Sequence, residues 1–465
     1  MTIQYTDISK LESIDGKPIL EISEHTTKYF KDGNDPKFFT FVESDTRKQE
    51  ELVKNDIFVD QTDVGIKIQA GFHAGIREFD KFVLKVVPKS VGGFENLGRM
   101  IAFCYLDKIS FFDLEEIRFQ SKREHPLDLL IPAFTQLCQK LITKGLYRTY
   151  VTTTDNIPYL KGKLLLKQQI QNTMKFNMKF SCEYDEFTAN NLENQIILYT
   201  LKKCLIITDN SNLKTKILKL IHHITRQVED QQISLSDFQK IHYTRLNKDY
   251  KNPLIIAKKI LENIGVLNLN EMKDKLIFSF FEPMPELFEE FLAKLFEYST
   301  YELEHPNITY PWKENGKDSN MNIQPDLVLY QDKLFDNSKT RYDKDFLIRE
   351  NVKFVMDAKY MEELKPHERY QIAFYLHEYE MKNGFALLPT LESTFSKDEN
   401  DHMIYKDDKK QLLEVPSQEI SISIRHINVD QLLDVLYSKK SKEEIETEIL
   451  SILEQITEKL LLESD

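Results

Sequence analysis

The apolar runs between Pro285 and Val429 come in an order that leaves few folds open. PELFEEFLAKLFEY has helical spacing, PDLVLY and FVMDAKY are strand-like, HERYQIAFYLHEYEM is helical again, and GFALLP and the alternating ISISIRHINV return to strand. A helix, two strands, a helix and further strands is the order of an α/β layer. One of these strands is spoiled. In FVMDAKY, Phe354 to Tyr360, Asp357 and Lys359 interrupt an apolar run, and side chains at i and i+2 of a strand leave by the same face. A carboxylate and an ammonium therefore share one face, as an ion pair or as part of a site.

Two other regions have different rhythms. From Pro18 to about Val91 the short runs PILEI, FFTFV, IFV, VGIKIQA and FVLKVV alternate with polar or glycine-containing turns, which predicts a small β domain. From Leu127 to about Leu269, apolar residues recur every three or four positions in DLLIPAFTQLCQKLI, NLENQIILYTLKKCLII and KTKILKLIHHITRQV, which predicts a helical layer. The expected organisation is α/β multidomain: a β-rich N-terminal domain over 1–125, a helical middle domain over 126–270 and an α/β domain over 271–465. The stretches Gln331 to Lys353 and Glu392 to Gln418 are charged and poor in apolar residues, and predict exposed insertions. The C-terminal SKEEIETEILSILEQITEKLLL opens with a capping box, Ser441 with Glu444. It carries Ile445, Ile449, Ile452, Ile456 and Leu460 on one stripe, so it must pack on its own domain or on a partner.

Composition excludes several classes. With only 13 Gly and 15 Pro in 465 residues the chain is neither fibrous nor disordered. No apolar run approaches the roughly 18 residues of a membrane span. MTIQYTDISK lacks the basic start and apolar core of a signal peptide, so a cytoplasmic location without a membrane partner is expected. Cys104, Cys138, Cys182 and Cys204 form no C-x-x-C pair and have no histidine at zinc-site spacing, and are expected to be core thiols. A net charge of −13 argues against a generic nucleic-acid coat, yet it conceals a basic stretch. Between Thr135 and Ser181, Lys140, Lys144, Arg148, Lys161, Lys163, Lys167, Lys175 and Lys179 face a single acid, Asp155.

Asp357 and Lys359 have acidic company. Asp326 follows Pro325 and opens PDLVLY, so two consecutive strands each set an acid beside apolar residues. A third acid should come from a neighbouring helix. On the helix from Pro285 the apolar stripe is Leu287, Phe288, Phe291, Leu292, Leu295 and Phe296. At about 100° per residue, Glu289 lies at the stripe's edge, while Glu286 and Glu290 point away. Three carboxylates on one face would repel and raise each other's pKa unless a cation sat among them. Oxygen-only ligands select a hard ion, Mg²⁺ or Mn²⁺. Such an ion polarises a phosphodiester and lowers the pKa of a bound water, and a lysine beside it can orient that water and neutralise charge on the phosphorus.

P-D, then D-x-K about thirty residues on, preceded by a helix glutamate, resembles the PD-(D/E)XK nuclease motif, which implies a restriction-endonuclease-like fold for the C-terminal α/β domain. QIAFY is similar to the Q-x-x-x-Y element of the RecB-like branch, which implies that Gln371 and Tyr375 meet the active site or DNA; a core aromatic is the other reading of Tyr375. VGIKIQAGFHAGIREFDKFVLKVVPKSVGGFENLGRMIAF resembles the N-terminal region of McrC, the nuclease subunit of McrBC-type modification-dependent restriction systems. YLKGKLLLKQQI and CEYDEFTANNLENQIILYTLKKCL are similar to its middle region, with Lys163 where the family often has arginine, and LFEEF, PDLVLY and DAKY follow in the family's order.

That resemblance implies a partner, a hexameric AAA+ GTPase of the McrB type, whose hydrolysis the subunit stimulates and whose translocated double-stranded DNA it cuts. The chain has no G-x-x-x-x-G-K-[ST] loop, because Gly16-Lys17, Gly162-Lys163 and Gly316-Lys317 all lack the upstream glycine and the Ser or Thr. It is not expected to bind nucleotide itself. The basic stretch, with Lys161, Lys163 and Lys167 among Tyr147, Tyr150, Tyr159, Phe176 and Phe180, could track a DNA backbone or meet an acidic motor surface, or be a solvated face over core aromatics. Two rival functions stand beside this one: a RecB-like repair exonuclease, whose frequent iron-sulfur cluster the cysteine spacing does not provide, and an inactive scaffold that only stimulates the motor.

Overall fold

The computed structural model describes residues 4–14, 17–33, 53, 56–79, 81–105, 127–208, 210–263, 279–304, 308–314, 317–331, 351–398, 403–409, 411–415, 419–438 and 440–458. FFTFV, at 38–42, and most of the connector before Lys353 lie outside these residues. The chain divides into two compact units, one made of Met1–Arg118 with Ser279–Asp465, the other of Phe119–Phe278. It is a mixed α/β protein with several sheets.

The first unit begins with β1 (Tyr5–Asp7), β2 (Ser13–Ile14), β3 (Lys17–Ser23), β4 (Thr27–Lys31), β5 (Ile57–Thr62), β6 (Gly65–Ala70), β7 (His73–Glu78) and β8 (Val83–Val87). One sheet has the order β1-β4-β6-β5, and β7, β8, β3 and β2 follow one another in a second. Alternate residues of both meet in one core, with Leu20, Ile22, Phe30, Ile57, Ile66, Ile68, Leu84 and Val86 all buried. Helix α1 (Phe94–Tyr105) follows.

The second unit holds α2 (Leu127–Lys144), β9 (Thr149–Ile157), β10 (Lys163–Leu164), α3 (Leu166–Met174), β11 (Phe180–Thr188), α4 (Leu192–Ile207), α5 (Ser211–Ile224) and α6 (Lys251–Asn263). Helices α2, α4, α5 and α6 bury Phe134, Cys138, Ile196, Leu201, Ile217 and Ile260. Asn191 caps α4 by accepting from the backbone N–H of Asn194 at 3.1 Å. Buried Asn194 donates to the carbonyls of Tyr147 and Ala189 and accepts from the Tyr250 hydroxyl at 2.7 Å. The purely helical middle layer expected from periodicity needs correction, because β9, β10 and β11 form a three-stranded antiparallel sheet in the order β10-β11-β9. TYVTTTDNI is largely exposed and carries no apolar alternation, so only its β-branched residues hint at a strand.

The first unit resumes with β12 (Ser279–Pro283), which pairs antiparallel with β7 and completes the second N-terminal sheet. Then come α7 (Met284–Phe296), β13 (Glu302–Glu304), the hairpin β14 (Ile308–Glu314) and β15 (Lys317–Ile323), β16 (Leu327–Tyr330), β17 (Val352–Ala358), α8 (Pro366–Glu378), β18 (Asn383–Thr390), β19 (Phe395–Lys397), β20 (Met403–Tyr405), β21 (Gln411–Val415), β22 (Ile420–Asn428), α9 (Val429–Leu436) and α10 (Lys442–Glu458). A six-stranded sheet has the order β13-β16-β17-β18-β22-β21, with β17, β18 and β22 mutually parallel and the other pairings antiparallel. Helix α8 covers one face through Ile372, Tyr375 and Leu376, packed on Val355, Ala386 and Ile424. Gly384 permits this approach, since a Cβ there would meet Leu376 Cδ2 at 2.5 Å.

The exposed insertion expected over Glu392 to Gln418 is also corrected. Its described residues form β19 and β20, which pair with each other, and β21, which edges the main sheet; Phe395, Met403 and Tyr405 are buried. These strands read as polar because they are short and bury few apolar residues. Helix α10 finds its packing partner here: it lies against β20 and α9, and Ile445, Ile449, Ile452 and Ile456 are buried. No helix among the described residues is long and apolar enough to cross a membrane. All four cysteines are buried, and none forms a disulfide.

Candidate active site

The β16–β17 pairing builds the site. Its register runs Leu327↔Met356, and one more step sets Asp326 opposite Asp357. Asp326 Oδ2 accepts a hydrogen bond from the backbone N–H of Ala358 at 2.8 Å, so the first acid is fastened to the strand that carries the second. Asp357 is 1 % exposed, with the Lys359 ammonium against its Oδ2. Lys359 Nζ lies 2.7 Å from Asp357 Oδ2, 4.0 Å from Asp326 Oδ2 and 3.8 Å from Glu368 Oε2. The aspartates and the lysine of the D-x-K spacing thus meet at one end of β17.

Their protonation follows from crowding in a dry place. Burial, and then the neighbouring Asp326, push the Asp357 carboxyl up to about 8. Burial and the Glu289 carboxylate raise Asp326 against the pull of Lys359. Burial would lower the Lys359 ammonium, but Asp357, Asp326 and Glu368 outweigh it and hold its pKa above the ordinary lysine value. One ammonium cannot neutralise all of these carboxylates, and Asp357, the most deeply buried, is raised furthest even with Lys359 beside it.

Glu289 on α7 is half-buried, while Glu286 and Glu290 are exposed, as expected from its place at the stripe's edge. Its pKa is raised by burial, with Lys359 opposing and Asp357 adding to the rise, so it feels both. Gln371 and Tyr375 stand one turn apart on α8, Gln371 Nε2 donating to the Tyr375 hydroxyl at 2.6 Å. Tyr375 is buried in the α8 core, and its pKa is raised by burial and then by Asp357. The two readings of this tyrosine are therefore compatible: it is a core aromatic whose hydroxyl feels the acids. Glu368 is an addition that sequence reasoning missed. The signal was available, because 368, 371 and 375 share one helical stripe at i, i+3 and i+7.

Among the described residues no three His, Cys, Asp or Glu side chains are gathered tightly enough to hold an ion as they stand. The Lys359 ammonium supplies the counter-charge instead. The donor set nonetheless suits a hard cation: the acids Asp326, Asp357 and Glu289 offer only oxygen, and Asp357 is buried with the Lys359 ammonium, a charge an ion could replace, against its Oδ2.

Lys161, Lys163 and Lys167 belong to the other unit and are exposed. Lys161 Nζ sits 3.8 Å from the centre of the Tyr184 ring, and Lys163 pairs with Glu183 at 3.3 Å. Of the interleaved aromatics, Tyr150, Tyr159, Phe176 and Phe180 are exposed, so the reading of a solvated face over core aromatics is corrected for those four.

A chain of this build, with paired acids and a lysine on the central strands of a six-stranded sheet, has relatives. A family model described as McrBC 5-methylcytosine restriction system component matches residues 68–388. The chain belongs to that family. Its fold is similar to a chain in the refined half-complex from a tetradecameric assembly of Thermococcus gammatolerans McrB AAA+ hexamers with bound McrC, with TM-score 0.53 and 18 % identity, over 94 % of this chain and 100 % of that one. A chain of the cryo-EM structure of the Thermococcus gammatolerans McrBC complex aligns with TM-score 0.40 and 21 % identity, over 60 % of this chain and 87 % of that one. No curated protein matches the sequence.

Proposed function

We propose that this chain is the Mg²⁺-dependent DNA endonuclease subunit of a GTP-driven, modification-dependent restriction complex, acting in the cytoplasm docked on an AAA+ GTPase hexamer whose hydrolysis it stimulates. The observation that carries the reading is the meeting of Asp326, Asp357 and Lys359 at the end of β17, in a chain of the McrBC family. Glu289 on the helix before these strands supports the reading of a PD-(D/E)XK domain. The structure with bound McrB hexamers supports a partner of that kind.

In this reading Asp326, Asp357 and Glu289 hold Mg²⁺, or Mn²⁺. The ion supplies Lewis-acid polarisation of the phosphodiester and lowers the pKa of a bound water. Lys359 would donate to the scissile phosphate and to the attacking water, where charge develops. Glu368 keeps that ammonium protonated and aimed. Gln371, which donates to the Tyr375 hydroxyl, holds that pair for a contact with the DNA strand. Lys161, Lys163 and Lys167 offer phosphate contacts along double-stranded DNA. The chain's own share of catalysis is a dry, prefolded acid pair with one amine set beside it.

The test is cleavage of DNA containing 5-methylcytosine by the reconstituted complex with GTP and Mg²⁺. Asp357→Ala is expected to lower cleavage at least about a thousandfold, roughly 4 kcal/mol of barrier, and to leave GTPase stimulation intact. Lys359→Ala is expected to retain metal binding and cut poorly. Normal cleavage by Asp357→Ala would remove the catalytic assignment, and normal cleavage with lost stimulation would favour the scaffold reading.

A further inference from the structure

The residue after Lys359 ties the candidate site to the N-terminal sheets. Just past the end of β17, the Lys359 backbone N–H donates to the carbonyl of Leu387 at 2.9 Å. The chain then turns, the N–H of Met361 donating to the Lys359 carbonyl at 2.9 Å. Between these fixed points Tyr360 is buried. Its ring meets Phe288, the residue before Glu289, edge-on with centroids 5.9 Å apart. Its hydroxyl donates to Glu24 Oε1 at 2.6 Å.

Glu24 lies one residue past β3 and is 1 % exposed. Its backbone N–H donates to the Val87 carbonyl at 3.0 Å, and its Oε1 also accepts from the backbone N–H of Lys89 at 2.5 Å. Lys89 is further ion-paired, at the surface, with Glu362. The end of β3 and the segment after β8 therefore hold two of the three residues that follow the lysine, Tyr360 and Glu362. Filling space does not require this arrangement. A phenylalanine at 360 would make the same ring contact, and a carboxylate so removed from water is costly unless its bonds serve a purpose.

We propose that Glu24 is a positioning residue for the reaction: through Tyr360 it fixes the backbone of Lys359 and, through Phe288, the helical turn that carries Glu289. The N-terminal sheet then sets the spacing between the amine and the acids. This rests on the nuclease reading, because only a reaction demands that spacing. Misplacing a reacting group by a fraction of its hydrogen-bond length lowers a rate without weakening substrate binding at remote contacts.

The test compares wild-type, Glu24→Gln, Glu24→Ala, Tyr360→Phe and the Glu24→Ala/Tyr360→Phe double variant as full-length chains. Each is assayed with the GTPase partner, Mg²⁺ and DNA containing 5-methylcytosine. Tyr360→Phe and Glu24→Ala are each expected to lower kcat by about ten- to a hundredfold with KM for DNA unchanged, and the double variant to be no slower than either. Glu24→Gln, which keeps the acceptor oxygen, is expected to restore most of the rate. In the metal-free chain, hydrogen exchange of the peptide spanning 354–361 is expected to quicken in Tyr360→Phe and Glu24→Ala and to stay at the wild-type rate in Glu24→Gln. Circular dichroism at the assay temperature fixes the folded fraction; if Glu24→Ala does not fold, Tyr360→Phe and Glu24→Gln carry the comparison.

Wild-type kcat in Tyr360→Phe, additive losses in the double variant, or a rate loss that merely follows the unfolded fraction would overturn the positioning role and leave the nuclease reading standing. A wild-type complex that does not cut at all overturns the nuclease reading first.

Discussion

At the scale of residues, one ammonium serves more carboxylates than it can neutralise. Asp357, Asp326 and Glu289 all have raised pKa values, burial being the first cause for each. The sign of the consequence is fixed by linkage. Asp357 titrates at about 8 in the folded chain, against about 4 when unfolded, so the folded state binds more protons between those limits. The stability this contributes is present below about pH 4 and is lost as pH rises through about 8, with a slope of at most about 1.4 kcal/mol per pH unit. The urea midpoint of the metal-free chain is therefore expected to fall between pH 6 and pH 8.5, and Asp357→Asn to flatten that fall; equal slopes in the two proteins would contradict it. The residue pattern was open to reading because strand geometry makes i and i+2 share a face. Glu368 escaped because attention to a sequence motif does not reveal which helix face the sheet will meet.

At the scale of elements, local pattern and tertiary partner have separate roles. Helices α4, α7 and α8 follow from apolar spacing and from start signals such as Asn191, Pro285 and Pro366. The strands β9 and β11 were hidden because they are largely exposed and bury few apolar residues, so they need no apolar alternation. The stretch holding β19 to β21 was hidden because its few apolar residues are divided between two partners, Phe395, Met403 and Tyr405 being buried in the β19–β20 pair, whose β20 lies against α10, and Leu413 and Val415 packing on the main sheet. That helix is therefore structural for its own unit. Ile452 is fully buried, and Ile452→Ala is expected to destabilise the first unit by about 2–4 kcal/mol, read as a lower urea midpoint for the signal of that unit alone. A neutral result would mean that the α10 face is not part of the core.

At the scale of the molecule, the first unit is assembled from two stretches of chain that the second interrupts. Strand β12 from the later stretch pairs with β7 from the earlier, and Arg99 and Asn96 of α1 meet Asp434 and Asp430 of α9 at 3.0 Å and 2.7 Å. Tyr437 Oη also donates to the Arg99 carbonyl at 2.8 Å. The second unit, by contrast, is one continuous stretch with its own buried helices. Residues 119–278 expressed alone are thus expected to unfold cooperatively, whereas 279–465 alone, lacking the partner strand of β12, is expected to give poorly dispersed amide spectra. Cooperative folding of 279–465 by itself would show that the shared sheet is dispensable.

Sequence alone determined the α/β order of the C-terminal half, the facing of Asp357 with Lys359, and the edge position of Glu289, because each follows from a fixed angular step along a single strand or helix. The tertiary structure alone decided that Asp326 stands across from Asp357, that Glu368 joins them, and that Glu24, more than three hundred residues earlier, holds the tyrosine beside the lysine. Those relations depend on which strands pair and which surfaces are dried by packing, and pairing between distant segments is settled by the burial of the whole chain rather than by any local period.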